Sequence, residues 1–396
     1  MKFLLPLILF TNLVANDSGF IYGKIVLKDG NQYQGPIRWG EKYGQEYFWL
    51  DTFDASKTEN HFEKYIDQSD LQKIEKRNFF SFLRRSFSDD KLSTHQFVVH
   101  FGDIKQIQSR GRHYVDVVLK NNETYEVSGS DVGETLYIID ETDNEQIKIK
   151  WKKVDYVEFM ETPKSLKRSF GDALYGTLET ENGTYKGLIQ WDYEESLLNE
   201  ELNGDEDDLF FREISSIHKE GRNGVSIVLK NGRKRYLSGT NDVDRDNRGI
   251  VLKNMELGKI EVYWDEFVSL EIGEKGVYSG PAYSEFQPAK ALEGSIQLNS
   301  GETIAGRFAF DLDETYSVEM IDGKLDDMNF SIPIRNIKEI SPKGRYSAII
   351  TLQNDIRFSL YDQTDVSKKN SGILIWAENK TPSYYSWNEI KTIQFK

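Results

Sequence analysis

The stretch "LYGTLETENGTYKGLIQW", residues 174–191, decides how the rest of the chain reads, because close copies of it begin near Tyr22 and Leu292. In each copy two glycines stand seven apart: Gly23 and Gly30, Gly176 and Gly183, Gly294 and Gly301. A third follows four or five residues later (Gly35, Gly187, Gly306), and an aromatic residue sits four beyond it (Trp39, Trp191, Phe310). Residues between the first two glycines alternate, as in "GKIVLKDG", and "KDG", "ENG" and "NSG" are tight-turn chemistry. The phrase therefore reads as two strands and a turn. The third glycine falls inside the second strand, where it is expected to mark a bulge or a sharp bend.

Each copy closes on a second signature, a hydrophobic residue followed by isoleucines at three-residue steps: Phe101, Ile104, Ile107; Phe211, Ile214, Ile217; Ile334, Ile337, Ile340. A strand, one tight helical turn and another strand produce that spacing. A different module follows each time, opening "VDVVLKNNETYEVSG" at Val115, "VSIVLKNGRKRYLSG" at Val225 and, more loosely, "AIITLQNDIRFSLYD" at Ala348. These close on Trp151, Val154, Val157; Trp264, Phe267, Leu270; and Trp387, Ile390, Ile393. The chain thus reads as six related modules in three pairs. Modules of about 50 residues hold four or five short strands, too few for a sandwich.

The expected fold is all-β. The order of features resembles six tandem SH3-like or Sm-like small β-barrels in three pairs, with a six-bladed β-propeller as the alternative. The chain also resembles a group of uncharacterised secreted bacterial proteins that carry the same "YGTL…DG…GLIQW" and "SG…DV" phrases, a resemblance that implies no activity. The expected division is a signal peptide at 1–16, barrel pair 1 at 20–160, barrel pair 2 at 173–273 and barrel pair 3 at 291–396. Residues 161–172 and 274–290 contain Pro163, Pro281 and Pro288, lack alternation and read as linkers.

The N-terminus "MKFLLPLILFTNLVANDSGF" has Lys2, an apolar run from Phe3 to Val14 and small or polar residues from Ala15 to Ser18. That is the pattern of a cleaved secretory signal, with cleavage expected near Ala15 and a retained anchor as the alternative. No later segment approaches a membrane span. The 396-residue chain contains no cysteine, which excludes a lipid-modified lipoprotein, disulfides, thiolate metal sites and a cysteine nucleophile. The expected location is the periplasm or exterior of a bacterium. A formal net charge of −15 argues against nucleic acid and anionic membranes as partners.

One segment reverses that sign. Between Asp51 and Gln96 the first module carries an insert, about 51–95, in which "SDLQKIEKRNFFSFLRRSF" places Ser69 and Gln72 at capping-box spacing. Leu71, Phe79, Phe82 and Leu83 fall toward one side of the expected helix, and Lys73, Arg77 and Arg84 toward the other. Phe79, Phe82, Arg77 and Arg84 are candidates for docking a partner. The alternative is a helix that covers a strand edge.

Catalytic chemistry is sparse. The five histidines form no metal pattern, and no nucleophile elbow or phosphate loop is present. The Asp131-Val132, Asp242-Val243 and Asp365-Val366 loops recur in the second-type modules, and Asp242, Asp244 and Asp246 make a weak calcium candidate. Asn247 and Lys253 stand where a calcium loop needs Gly and a bidentate Glu, so the competing reading is Asp side chains that cap their own turn. Repeated aromatics are expected in the core. Unrepeated ones, Trp49, Tyr384 and Tyr385, are glycan-stacking candidates. The sequence points to a secreted, non-enzymatic repeat protein with no cofactor, offering an extended surface to an envelope protein. The alternative is a glycan-binding array acting on cell wall or exopolysaccharide.

Overall fold

A computed structural model describes residues 16–41, 44–58, 62–71, 96–274, 278–377 and 381–396. The expected signal sequence and most of the insert, including Phe79, Phe82, Arg77 and Arg84, lie outside the described residues. The fold is all-β and the strand pairing is antiparallel throughout. Strands such as Tyr22–Leu27 and Gly224–Leu229 alternate buried and open positions, so one face closes over the core, while Leu136–Ile139 is buried on both faces.

The first pair lays its strands in one open sheet. Across it run Gln96–His100, Thr52–Lys57, Thr124–Ser128, Val115–Leu119, Ile104–Ser109, Val154–Phe159, Tyr22–Leu27, Gln32–Trp39, Leu136–Ile139 and Gln146–Ile149. The last strand of the second module, Val154–Phe159, therefore lies between the first and last strands of the first module. The third pair repeats this order, with Ile390–Phe395 between Glu293–Leu298 and Ile337–Lys343. The second pair places Phe267–Ile272 likewise, and its Glu201–Asn203 and Asp208–Phe210 strands form a separate ribbon. The two modules of a pair thus share their hydrogen bonds.

The glycines of the repeated phrase meet across this arrangement. Gly23 pairs with Gly35, Gly176 with Gly187 and Gly294 with Gly306, in regular register. The bulge expected at the third glycine is absent from these hairpins. What both positions require is room: a Cβ on Gly294 would lie 1.8 Å from the Gln394 carbonyl oxygen, and one on Gly306 would lie 2.3 Å from that of Trp376. Each glycine lets a neighbouring strand's backbone approach closely.

All eighteen residues of the closing triplets are buried. Five of the triplets open in a 3-10 turn, as at Phe101–Asp103 and Trp387–Glu389, while Trp264 opens an ordinary turn. At the turn the chain leaves one strand and re-enters the sheet, which is what three-residue spacing of apolar side chains demands.

The pairs are not strung out along a line. Gly258–Val262 of the second pair hydrogen-bonds with Met328–Pro333 of the third, making one continuous sheet. The first and third pairs meet directly, through Arg335 Nη1 to Asp103 Oδ1 at 2.6 Å and Gln96 Nε2 to Asp322 Oδ2 at 2.6 Å. Residues 278–290, expected as a linker, instead dock on the first pair. The Tyr283 ring lies 4.5 Å from that of Trp49, its hydroxyl donates to the Ile104 carbonyl at 2.7 Å, and Lys120 donates to the carbonyls of Tyr283 and Phe286.

Candidate functional site

Each pair contains the same acidic corner after its first hairpin. Glu46 and Asp51, Glu195 and Glu200, and Glu314 and Glu319 each stand five positions apart. The first acid of each corner bridges back to the repeated aromatic, joining Trp39 to Glu46, Trp191 to Glu195 and Phe310 to Glu314. The second acid folds its carboxylate over two backbone N–H groups. Asp51 Oδ2 accepts from Tyr47 and Phe48 at 2.6 and 2.8 Å, Glu200 Oε2 from Ser196 and Leu197 at 2.6 and 2.8 Å, and Glu319 Oε2 from Thr315 and Tyr316 at 2.7 and 2.8 Å. A carboxylate that satisfies two amides at once fixes the turn it sits in.

The other oxygen of each second acid faces a neighbouring pair. Asp51 Oδ1 lies 2.7 Å from Lys253 Nζ of the second pair, and Glu319 Oε1 lies 2.5 Å from Lys57 Nζ of the first. Glu200 meets the Tyr47 hydroxyl at 3.3 Å. Burial opposes the charge on Lys57, but Asp313 and Glu319 outweigh it and hold its pKa well above the ordinary lysine value. The sequence signal for these corners is an acidic spacing of five positions, repeated in all three copies.

Lys57 also borders a groove between the first and third pairs, with a cavity volume of about 470 Å³. Tyr125 and Phe62 form its wall on the first pair, Tyr316 and Arg307 on the third, and Glu123 and Glu126 stand on its rim. The rings of Tyr125 and Tyr316 are 6.4 Å apart, edge to face, and the Tyr125 hydroxyl is 3.3 Å from Thr315 Oγ1. Burial raises the Tyr125 pKa, Glu319 adds to it, and the phenol stays neutral. Arg307 is exposed and also borders a second opening of about 720 Å³ that contains Trp376. Phe62 and Tyr65 pack on Trp376 with ring centroids 6.0 and 5.9 Å away. Half-buried rings, an exposed guanidinium and rim carboxylates suit a ligand with apolar faces and polar edges.

The glycan candidates do not gather at this groove. Trp49 is 0% exposed, and its indole N–H donates to Thr162 Oγ1 at 3.0 Å. Tyr47 and Phe48 are buried with it, because this segment is a turn at a joint between pairs and not an exposed strand. Trp49 is therefore corrected from a stacking platform to core. Tyr384 and Tyr385 are half-buried in the Ser383–Tyr385 edge strand, and the Tyr384 hydroxyl donates to the Ser371 carbonyl at 2.8 Å.

The calcium candidates do not converge either. Asp242 is buried, and its Oδ2 accepts from the Asn203 backbone N–H at 2.9 Å and side-chain Nδ2 at 2.8 Å, while its carbonyl takes the Trp191 indole N–H at 2.8 Å. Asp131 and Asp365 make the same backbone contact to Asp54 and Asp322. Asp244 caps the Asp246 N–H at 2.8 Å, and Asp246 is exposed. Among the described residues no group of three or more His, Cys, Asp or Glu is arranged to hold a metal. The loop is a latch that ties the second-type module to the first. His100 is buried, its pKa is lowered to about 3 by burial and by Arg335, and its Nδ1 lies 2.7 Å from the Leu50 carbonyl oxygen.

Among the described residues, the expected partner helix begins at Gln68 and continues to Leu71, with the Asp67 carbonyl accepting from the N–H groups of Asp70 and Leu71, so Ser69 lies inside the helix and is not its cap. Among the described residues no helix is long and apolar enough to cross a membrane. No family model matches the chain, and neither do any curated protein or solved structure.

Proposed function

We propose that the protein is a secreted, non-enzymatic scaffold of the bacterial cell envelope that receives a protein partner in the groove between its first and third pairs. The observation that carries this reading is the groove itself, an opening bordered by residues far apart in sequence and rimmed by exposed Arg307, Glu123 and Glu126. Two buried lysines, Lys57 and Lys253, are engaged in joints between pairs, which supports structural work for them over catalysis. Because the first and third pairs touch, the surface on offer is a compact one, and binding at a single groove replaces the multivalent array expected from three equal copies.

The finer architecture belongs to the same proposal. Each pair is two SH3-like or Sm-like modules that have exchanged strands. The strand, single turn and strand at each module's close support this, as does hydrogen bonding across module borders, which separate propeller blades would not share.

A second reading, a glycan ligand, is favoured by the rings of Tyr125, Tyr316 and Trp376 along the two openings. The test is to immobilise residues 17–396 and expose them to solubilised envelope proteins and to cell-wall glycan fragments. The expected result is retention of one identifiable envelope protein that falls at least about tenfold with Arg307→Glu, the scale of a lost interfacial charge contact. Glycan retention abolished by Tyr316→Ala establishes the second reading. Retention indifferent to both substitutions removes the groove from the function.

A further inference from the structure

We propose that Lys253 and Asp51 condense to a side-chain amide, with Glu46 as the proton-transfer group, so that the first and second pairs become covalently joined. The three groups meet in a buried cluster: the side chains of Lys253, Asp51 and Glu46 are 4%, 1% and 11% exposed. Lys253 Nζ lies 2.7 Å from Asp51 Oδ1 and 3.3 Å from Glu46 Oε2, and Gln190 Oε1 holds its third proton at 3.1 Å. The Glu46 and Asp51 carboxyl groups thus meet at one nitrogen.

The carboxyl of Asp51 is divided between two tasks. Its Oδ2 sits on the N–H groups of Tyr47 and Phe48, at 2.6 and 2.8 Å, which are placed to stabilise an oxyanion. Its Oδ1 faces the amine and is the oxygen that leaves. Burial, with Asp51 and Asp131 adding to it, outweighs Lys253 and raises the Glu46 pKa well above the usual carboxylate range, so Glu46 holds a proton. The Asp51 carboxylate keeps Lys253 an ammonium in the resting state against the effect of burial. The reaction therefore begins with proton transfer.

Glu46 gives its proton to Asp51 Oδ1 and takes one from the Lys253 ammonium. The neutral amine attacks Asp51 Cγ, forming the N–C bond and placing charge on Oδ2. Collapse breaks the bond from Cγ to Oδ1, which leaves as water with a proton supplied through Glu46, and the nitrogen returns a proton to Glu46. An ammonium and a carboxylate become one amide and one water, with no co-reactant. Fixed proximity supplies the driving advantage, since well-oriented intramolecular groups react as though at ~10⁵ M or more. Exclusion of water then protects the bond.

The other corners serve as internal comparisons. Glu200 has the same two-amide cradle but faces a tyrosine hydroxyl, so it has no amine to join. Lys57 faces Glu319, yet it also donates to the Asp313 backbone carbonyl at 2.7 Å and to Asp313 Oδ1 at 2.9 Å.

The experiment is intact mass spectrometry of the purified mature chain, with its N-terminus read from the same sample, followed by proteolysis. The expected result is a mass lower by one water and a branched peptide joining the segments that contain Asp51 and Lys253. Lys253→Arg and Glu46→Gln restore the full mass. A wild-type chain that keeps its full mass after prolonged incubation overturns the proposal. So does a lost water that maps to Lys57 or to a cyclised aspartate without a branch. A folded Glu46→Gln protein that still loses water removes Glu46 from the reaction.

Discussion

Glu195 shows how burial of one acid sets a pH dependence. It is 8% exposed and its Oε2 has no hydrogen-bond partner. Burial first, then Asp242 and Glu194, raise its pKa to about 9 from 4.5. The folded chain therefore binds a proton that the unfolded chain releases above its ordinary pKa, and stability falls as pH rises from 4.5 toward 9. Glu195→Gln keeps the shape and removes the titration. It should raise stability near pH 8 by about 1–3 kcal/mol and leave it nearly unchanged near pH 4, read by urea unfolding at several pH values. An equal shift at every pH would sink this account. At the same scale, Trp49→Ala should lower stability by about 3–5 kcal/mol, since it empties a core site beside Tyr283 and removes the indole N–H that Thr162 accepts. Trp39 and Trp191 recur in the sequence and are core, 1% and 0% exposed, as recurrence implies. Trp49 does not recur and is core as well. Of its contacts, Tyr283 comes from the segment after the second pair and Thr162 from the one after the first, and such a joint leaves no repeat for sequence to reveal.

Among elements, the opening hairpin was legible as two strands and a turn, but the work of its glycines was not. Periodicity reports which residues alternate; it does not report which strand will lie alongside. The strand beside Glu293–Leu298 is Ile390–Phe395, nearly a hundred positions away, and its carbonyl at Gln394 is what excludes a side chain from Gly294. Gly301, by contrast, is a turn residue at φ +94° with open space around it. Gly294→Ala should therefore destabilise by about 3 kcal/mol or more, because a strand must move. Gly301→Ala should cost only about 1–2 kcal/mol, the penalty of a left-handed backbone in an L-residue. Thermal unfolding of the two variants compares them directly, and a larger loss at Gly301 would place the constraint in the turn. The closing triplets were readable for the opposite reason: a tight turn between two strands is a local matter, and three-residue spacing contains all of it.

For the whole molecule, the question is whether three pairs unfold as three bodies or one. Each pair carries its own turns and triplets, which leaves open how the pairs couple. Sequence could not show that Arg335 reaches across to Asp103, because ion pairs between distant segments follow from packing and leave no periodic trace. Asp103 is 1% exposed in its side chain, and burial raises its pKa against the pull of Arg335. Arg335→Met would leave that carboxylate buried without its cation, at a cost of about 3–5 kcal/mol. The continuous sheet between the second and third pairs and the lysine joints at Asp51 and Glu319 couple all three bodies, so the loss should be felt by the entire chain. The expected outcome is one transition, followed by far-ultraviolet circular dichroism and by the fluorescence of the seven tryptophans, whose midpoints coincide in the wild type and move together in the variant. Two separated midpoints in Arg335→Met, with the second pair's unfolding unmoved, would mean that the joint between first and third pairs is decoration on independent domains.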